Sequence, residues 1–120
     1  MKRRRILVVE DDSSAAMALI LHLRSLGHLA LGPASTGESA LALARIEKPD
    51  LVLMDVNLEG PLDGVETAWA IRAFSEVAII FMSALSADIV ASRIWGFNSH
   101  NLIEKPFNLG DITRLIESLE

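Results

Sequence analysis

Short apolar runs alternating with stretches of helical spacing are the feature that most limits the fold of this chain. Residues 6–9, 51–54 and 77–82 are continuous apolar runs, which is typical of strands buried on both faces, as in a parallel sheet. Two shorter candidate strands lie at 29–31 and 101–104. A helical pattern follows each strand, so five β-α units predict a parallel sheet with helices on both faces and right-handed crossovers.

The first predicted helix has clear signals at both ends. Apolar residues recur at three- and four-residue spacing between positions 16 and 26. Asp12 or Ser13 can cap its amino end, and Gly27 can end it in a left-handed conformation. We assign Asp12 to this capping role.

The later helices carry similar signals. Ser35 followed by Glu38 has the form of a capping box and predicts a helix start there. A further helix is predicted from about Ser86 to Trp95, and the closing helix is predicted to begin near Leu109.

Length and composition fit one globular domain. The chain has 120 residues, of which 51% are apolar and 22% charged, enough for a sizeable core. Its net charge of −5 disfavours a domain that grips nucleic acid through phosphates, despite a short basic stretch at residues 2–5. Cysteine is absent and no apolar run is long enough to span a membrane. We therefore expect a soluble, cytoplasmic protein.

Polar residues stand where the predicted strands end. Glu10 and Asp11 follow the first strand, Asp55 the third, Ser83 the fourth and Lys105 the fifth. The carboxyl ends of parallel strands share one edge, where ligands of open α/β sheets bind. Three carboxylates gathered there disfavour one another's ionisation unless a cation is present. Mg²⁺ suits such carboxylates together with a phosphate ligand, and a hydroxyl and an ammonium would complete a phosphoryl-binding shell.

In these residues the chain resembles the receiver domain of bacterial two-component response regulators. The matching segments span nearly the whole length, in order and at the family's spacing: residues 6–11, 53–55, 63–64, 82–84 and 105–107. The resemblance implies one receiver domain over residues 1–120. It also implies a five-stranded parallel (βα)5 sheet of flavodoxin-like type, with strand order 2-1-3-4-5.

The resemblance also implies a metal-assisted phosphoryl acceptor. Asp55 would be the phospho-acceptor, attacking a phosphoryl group from a sensor histidine kinase, a phosphotransfer protein or a small phosphodonor. Asp11 would bind Mg²⁺ directly and Glu10 through water, while Asn57 would offer its backbone carbonyl.

Two further residues would complete the site. Ser83 would hydrogen-bond a phosphoryl oxygen and move when it appears. Lys105 would hold the acceptor carboxylate and later the phosphoryl group. The peptide bond between Lys105 and Pro106 is expected to be cis, as in the family.

The chain departs from the family pattern after Asp55 and before Lys105. The loop from Asp55 to Asp63 is one residue longer than is common. Leu102 stands where the family usually has Tyr or Phe, so the usual rotation of an aromatic ring is expected to be weak or absent. Asn98 takes a usual glycine position, and Asn tolerates the left-handed conformation.

The expected output is a phosphorylation-dependent contact with a downstream protein, with no direct binding of nucleic acid or membrane. We expect the contact surface on the fourth helix, fifth strand and fifth helix, with Trp95 and Leu102 as candidate residues. The protein is expected to be a monomer or a phosphorylation-dependent dimer.

Trp69 and Trp95 are expected to be partly buried packing residues. His22, His28 and His100 are expected to be ordinary, because they lack the spacing of metal ligands.

Two alternatives remain open. The chain could be the receiver part of a longer regulator with a DNA-binding or enzymatic output domain. It could also be a Mg²⁺-dependent phosphatase with an aspartate nucleophile. Such enzymes usually carry a second Asp two residues after the nucleophile, where this chain has Asn57. We therefore expect a signalling module and not an enzyme.

Overall fold

Strands and helices alternate along the whole of the described chain. The computed structural model describes residues 2–97 and 101–119, so Asn98 and His100 lie outside the described residues. The elements in chain order are β1 (Arg5–Val9), α1 (Ser13–Ser25), β2 (Leu29–Ala34), α2 (Gly37–Glu47), β3 (Leu51–Asp55), α3 (Gly64–Arg72), β4 (Ala78–Ser83), α4 (Ala87–Ala91), β5 (Leu102–Glu104) and α5 (Leu109–Ser118).

The five strands form one parallel sheet in the order β2-β1-β3-β4-β5, which confirms the predicted fold. β2 is longer than the predicted 29–31, because it continues through Pro33 to Ala34. A proline lacks the N–H that a central strand needs, but β2 lies at the edge of the sheet, where this loss is tolerated.

Alternate strand residues face opposite sides of the sheet and build two apolar clusters. Leu7 and Val9 of β1 face the side covered by α2, α3 and α4. Ile6 and Val8 face the side covered by α1 and α5. Because both faces are covered, residues 6–9, 51–54 and 78–82 of the central strands are all apolar, as their sequences predicted.

Polar side chains cap several helices. The Asp12 side chain accepts hydrogen bonds from the backbone N–H groups at the start of α1, as predicted, and Gly27 follows that helix with φ +90°. The capping box of α2 was predicted one residue too early. Thr36 is the capping residue and Ser39 its partner, because a serine hydroxyl at that position returns to the Thr36 backbone.

α4 is shorter than predicted and ends at Ala91, well before Trp95. The expectation that Trp95 is partly buried was wrong, since 83% of this residue is exposed. Trp69 on α3 is 44% exposed and packs on Phe97, with ring centroids 4.4 Å apart.

Among the described residues, no helix combines the length and the apolar character needed to cross a membrane.

Candidate functional site

Three carboxylates lie together at the carboxyl edge of the sheet. Glu10, Asp11 and Asp55 each offer an oxygen, and these oxygens all lie within 4.8 Å of one another. The sheet register explains this convergence, because Val9 pairs with Met54, β1 ends at Val9 and β3 ends one residue after Met54, at Asp55. Glu10 and Asp55 are buried and Asp11 is exposed. A set of hard oxygen ligands that is open on one side fits a divalent cation such as Mg²⁺.

Lys105 places one positive charge against this cluster. Its Nζ lies 2.7 Å from Glu10 Oε1 and 3.4 Å from Asp55 Oδ2. The following bond to Pro106 is cis, in agreement with the expectation. One ammonium therefore faces three carboxylates, which leaves the site with excess negative charge.

The pKa values of Glu10 and Lys105 record this imbalance. Burial raises the pKa of Glu10, and the hydrogen bond and charge of Asp55 raise it further, more than Lys105 lowers it. Burial alone would lower the pKa of Lys105, but the hydrogen bond to Glu10 and the charges of Asp55 and Glu10 raise it above its ordinary value. An added cation would relieve the repulsion between the carboxylates.

The loop after β3 holds Asp55 from the other side. The Asn57 backbone N–H donates to Asp55 Oδ1 at 3.1 Å. α3 begins against the backbone of this strand, where the Gly64 N–H donates to Val56 O at 2.9 Å. A Cβ on Gly64 would stand 1.9 Å from the Asp55 carbonyl oxygen. Glycine after Asp63 is therefore a steric requirement of the site.

Ser83 is fully buried at the end of β4 and is linked to the neighbouring loops. Its hydroxyl oxygen accepts a hydrogen bond from the Leu85 N–H at 2.9 Å, and its carbonyl oxygen accepts one from the Lys105 N–H at 2.7 Å. The hydroxyl thus already holds the loop between β4 and α4. Its own hydroxyl proton is a separate donor, so a rotation of the side chain toward a new acceptor would draw its oxygen away from the Leu85 N–H.

The sequence did not reveal two polar contacts that hold α4. Glu104 Oε1 accepts a hydrogen bond from the Ala87 N–H at 2.6 Å. Arg93, which follows α4, pairs with Asp63 at the start of α3. Both contacts join residues far apart in sequence, so no local sequence pattern predicts them.

A cavity of about 590 Å³ opens beside the cluster, between α1 and the segment after β5. Glu10, Asp12 and Lys105 give it a polar end. Its remaining lining is mainly apolar: Ala15, Ala18, Leu19, Ala84, Pro106, Phe107 and Leu109. The carboxylates are thus reached from a concave surface.

The known proteins that this chain resembles are response regulators. The family model of the response regulator receiver domain matches residues 6–117. A transcriptional regulatory protein of Mycobacterium tuberculosis, PdtaR, is 33% identical over 114 residues, covering 95% of this chain and 55% of that protein. The chain spans about half the length of the curated relatives it matches.

Solved receiver domains have the same fold. The receiver domain of a diguanylate cyclase from Desulfovibrio desulfuricans superposes with a TM-score of 0.83 at 33% identity, covering 98% of this chain and 93% of that one. The receiver domain of the PhyR response regulator from Erythrobacter litoralis gives a TM-score of 0.86 at 29% identity, with 98% and 90% covered. Family model, relatives and fold agree, and this chain belongs to the family of response regulator receiver domains.

Proposed function

We propose that this receiver accepts a phosphoryl group on Asp55. The observation that carries the proposal is the convergence of Glu10, Asp11 and Asp55 with Lys105 at one edge of the sheet. Receiver domains are signalling modules that take part in phosphotransfer, so membership of the family supports the same use of this site.

The carboxylates fit a Mg²⁺ ion, which when bound would neutralise charge on the incoming phosphoryl group. Glu10, Asp11 and Asp55, with the backbone carbonyl of Asn57, are the groups that would hold it. The excess negative charge of the site supports this assignment, because Lys105 is one cation against three acids.

The other roles in phosphoryl transfer fall to groups of the chain itself. An oxygen of Asp55 would form the new bond to phosphorus while the bond to the donor's leaving atom breaks and that atom keeps its electron pair. The Asn57 N–H and Lys105 hold the two carboxylate oxygens in place for this attack. Ser83 would donate its hydroxyl proton to a phosphoryl oxygen, and Lys105 would pair with the new negative charge.

The phosphoryl donor would be a sensor histidine kinase, a phosphotransfer protein or a small phosphodonor. The cavity between α1 and the segment after β5 supports this, because it leads to Glu10 and Lys105 from the surface. We propose a downstream protein that binds the face of α4, β5 and α5 when Asp55 is phosphorylated. The exposed Trp95 and the half-buried Leu102 support that surface.

A second output is favoured by one observation. The curated relatives are about twice as long as this chain, and PdtaR is named a transcriptional regulatory protein. The chain would then be the receiver part of a longer regulator with a DNA-binding or enzymatic output. Sequencing the complete gene separates the two outputs.

Intact-protein mass spectrometry tests the proposed acceptor. Wild type and Asp55→Asn are incubated with Mg²⁺ and acetyl phosphate, with and without a chelator. We expect one added phosphoryl group in the wild type only, and only with Mg²⁺. An adduct on both proteins would show that another residue is the acceptor.

A further inference from the structure

The start of α4 is capped by a residue of another element. Ser86 stands at the capping position, yet its side chain makes no capping hydrogen bond. Glu104 of β5 caps the helix instead, since its Oε1 accepts a hydrogen bond from the Ala87 N–H at 2.6 Å. A carboxylate that accepts from a helix N–H makes a charge-assisted hydrogen bond, which is stronger than a neutral one.

α4 has little other support. It has five residues, of which only Val90 is buried, whereas Leu85 and Ile89 beside and within it are exposed. Few buried apolar contacts mark an element of low local stability. Its position therefore depends strongly on polar contacts at its ends.

Ser83 and Glu104 hold the same loop side by side. They are register partners on the neighbouring strands β4 and β5, so their side chains project from the same face of the sheet. Ser83 accepts from the Leu85 N–H and Glu104 from the Ala87 N–H. Two acceptors on two strands thus hold the loop before α4 and the first residue of this helix.

We propose that Glu104 is a positioning residue that sets how far α4 moves when the receiver is phosphorylated. This inference rests on the proposed function. When the Ser83 side chain rotates so that its hydroxyl donates to a phosphoryl oxygen, its oxygen moves away from the Leu85 N–H, which loses its acceptor. Of these two acceptors only Glu104 then still holds the loop, so this carboxylate limits the response of α4. Leu102, without a phenolic hydroxyl, supplies no polar contact for that purpose.

Exchange of amide protons with water, measured by NMR in the unphosphorylated protein, tests the contact itself. We expect Glu104→Ala to exchange about tenfold faster than wild type at Ala87, with Leu85 unchanged. Glu104→Gln keeps a weaker, neutral acceptor and should fall between them. The matched control is Glu117→Ala, an exposed glutamate on α5 that should leave Ala87 unchanged. Equal exchange at Ala87 in wild type and Glu104→Ala would overturn the proposal.

The same measurement after phosphorylation tests the limiting role. Mass spectrometry of each sample gives the fraction phosphorylated. In the wild type, phosphorylation should speed exchange at Leu85 only. In Glu104→Ala, phosphorylation should speed exchange at every amide from Leu85 to Val90. Opening of Ala87 in phosphorylated wild type would overturn the limiting role. If no adduct forms, the proposed function and this role both fall, while the unphosphorylated comparison still decides whether Glu104 holds α4.

Discussion

At the scale of single residues, repulsion between the carboxylates of the site lowers the stability of the fold. Glu10 and Asp55 are buried next to each other, and Lys105 offsets only part of their repulsion. The raised pKa of Glu10 means that its ionised form is less favourable in the folded chain than in the unfolded one. This cost is consistent with a site whose excess negative charge is neutralised by a bound cation.

Replacing Asp55 by Asn should therefore stabilise the protein in the absence of metal. Removing one of three clustered charges at nearly constant shape should raise the free energy of unfolding by about 1 kcal/mol at neutral pH. Excess Mg²⁺ should stabilise the wild type and have little effect on the variant. Urea denaturation with a chelator or with Mg²⁺ measures both effects.

Asp12→Asn is the matched control for this charge change. Asp12 lies beside the cluster but caps α1, and Asn caps a helix about as well as Asp does. Its stability and its response to Mg²⁺ should resemble those of the wild type. Equal gains in the two variants would show that net charge, and not the cluster, explains the result.

Gly64→Ala should damage the site by steric contact. The new methyl group would lie 1.9 Å from the Asp55 carbonyl oxygen, so the backbone of β3 or α3 must shift. We expect a loss of about 3 kcal/mol in the free energy of unfolding and slower phosphorylation by acetyl phosphate. Urea denaturation and mass spectrometry measure the two losses.

Gly110→Ala tests whether any glycine in a helix start gives this result. A Cβ there would approach the Asn108 side-chain oxygen to 3.1 Å, a contact that a small movement relieves. Alanine also favours helix over glycine by about 1 kcal/mol. A loss as large as that of Gly64→Ala would contradict the steric explanation.

At the scale of elements, the region of α4 is joined to α3 by charge. Arg93 pairs with Asp63, whose side chain also caps α3. Burial alone would raise the pKa of Asp63, but the N–H of Glu66 and the charge of Arg93 lower it below its ordinary value. A carboxyl with a lowered pKa in the folded state stabilises the fold above its unfolded pKa of about 3.9, and this contribution is lost as the pH falls.

Arg93→Gln should remove part of that contribution. The pKa of Asp63, measured by NMR titration, should rise toward its ordinary value. The variant should be less stable than wild type by about 0.5 kcal/mol near pH 6, with the difference shrinking below about pH 4. Arg114→Gln, which breaks the exposed pair with Asp111 on α5, should leave the Asp63 titration unchanged. A difference that persists at low pH would contradict the ion-pair explanation.

The elements that the sequence predicted well are those with a local pattern. Continuous apolar runs identified the strands, and the residues at their ends identified the cluster, because parallel strands share one edge. α4 was predicted too long, since buried Val90 and Ile94 keep helical spacing although the helix ends between them. The contact between Glu104 and Ala87 depends on the pairing of β4 with β5, which local sequence does not encode.

At the scale of the whole molecule, the sheet separates two apolar clusters, one on each of its faces. Ile71 lies in the cluster under α2, α3 and α4, and Ile116 in the cluster under α1 and α5. Trp69 lies on α3 and Trp95 directly follows Ile94 of the first cluster, so both belong to the side of that cluster. Tryptophan fluorescence therefore reports on one face, whereas circular dichroism reports on both.

Ile116→Ala tests whether the two faces unfold together. Ile116 is fully buried, so its truncation should cost about 3 kcal/mol in the free energy of unfolding. If the sheet couples both faces in one transition, the urea midpoint should fall equally by fluorescence and by circular dichroism, although both tryptophans lie on the other side. Ile46→Ala, at a residue 74% exposed, should move neither midpoint appreciably. A fluorescence midpoint that stays in place while circular dichroism shifts would show that each face unfolds separately, and a signal at the carboxyl edge could then reach one face without the other.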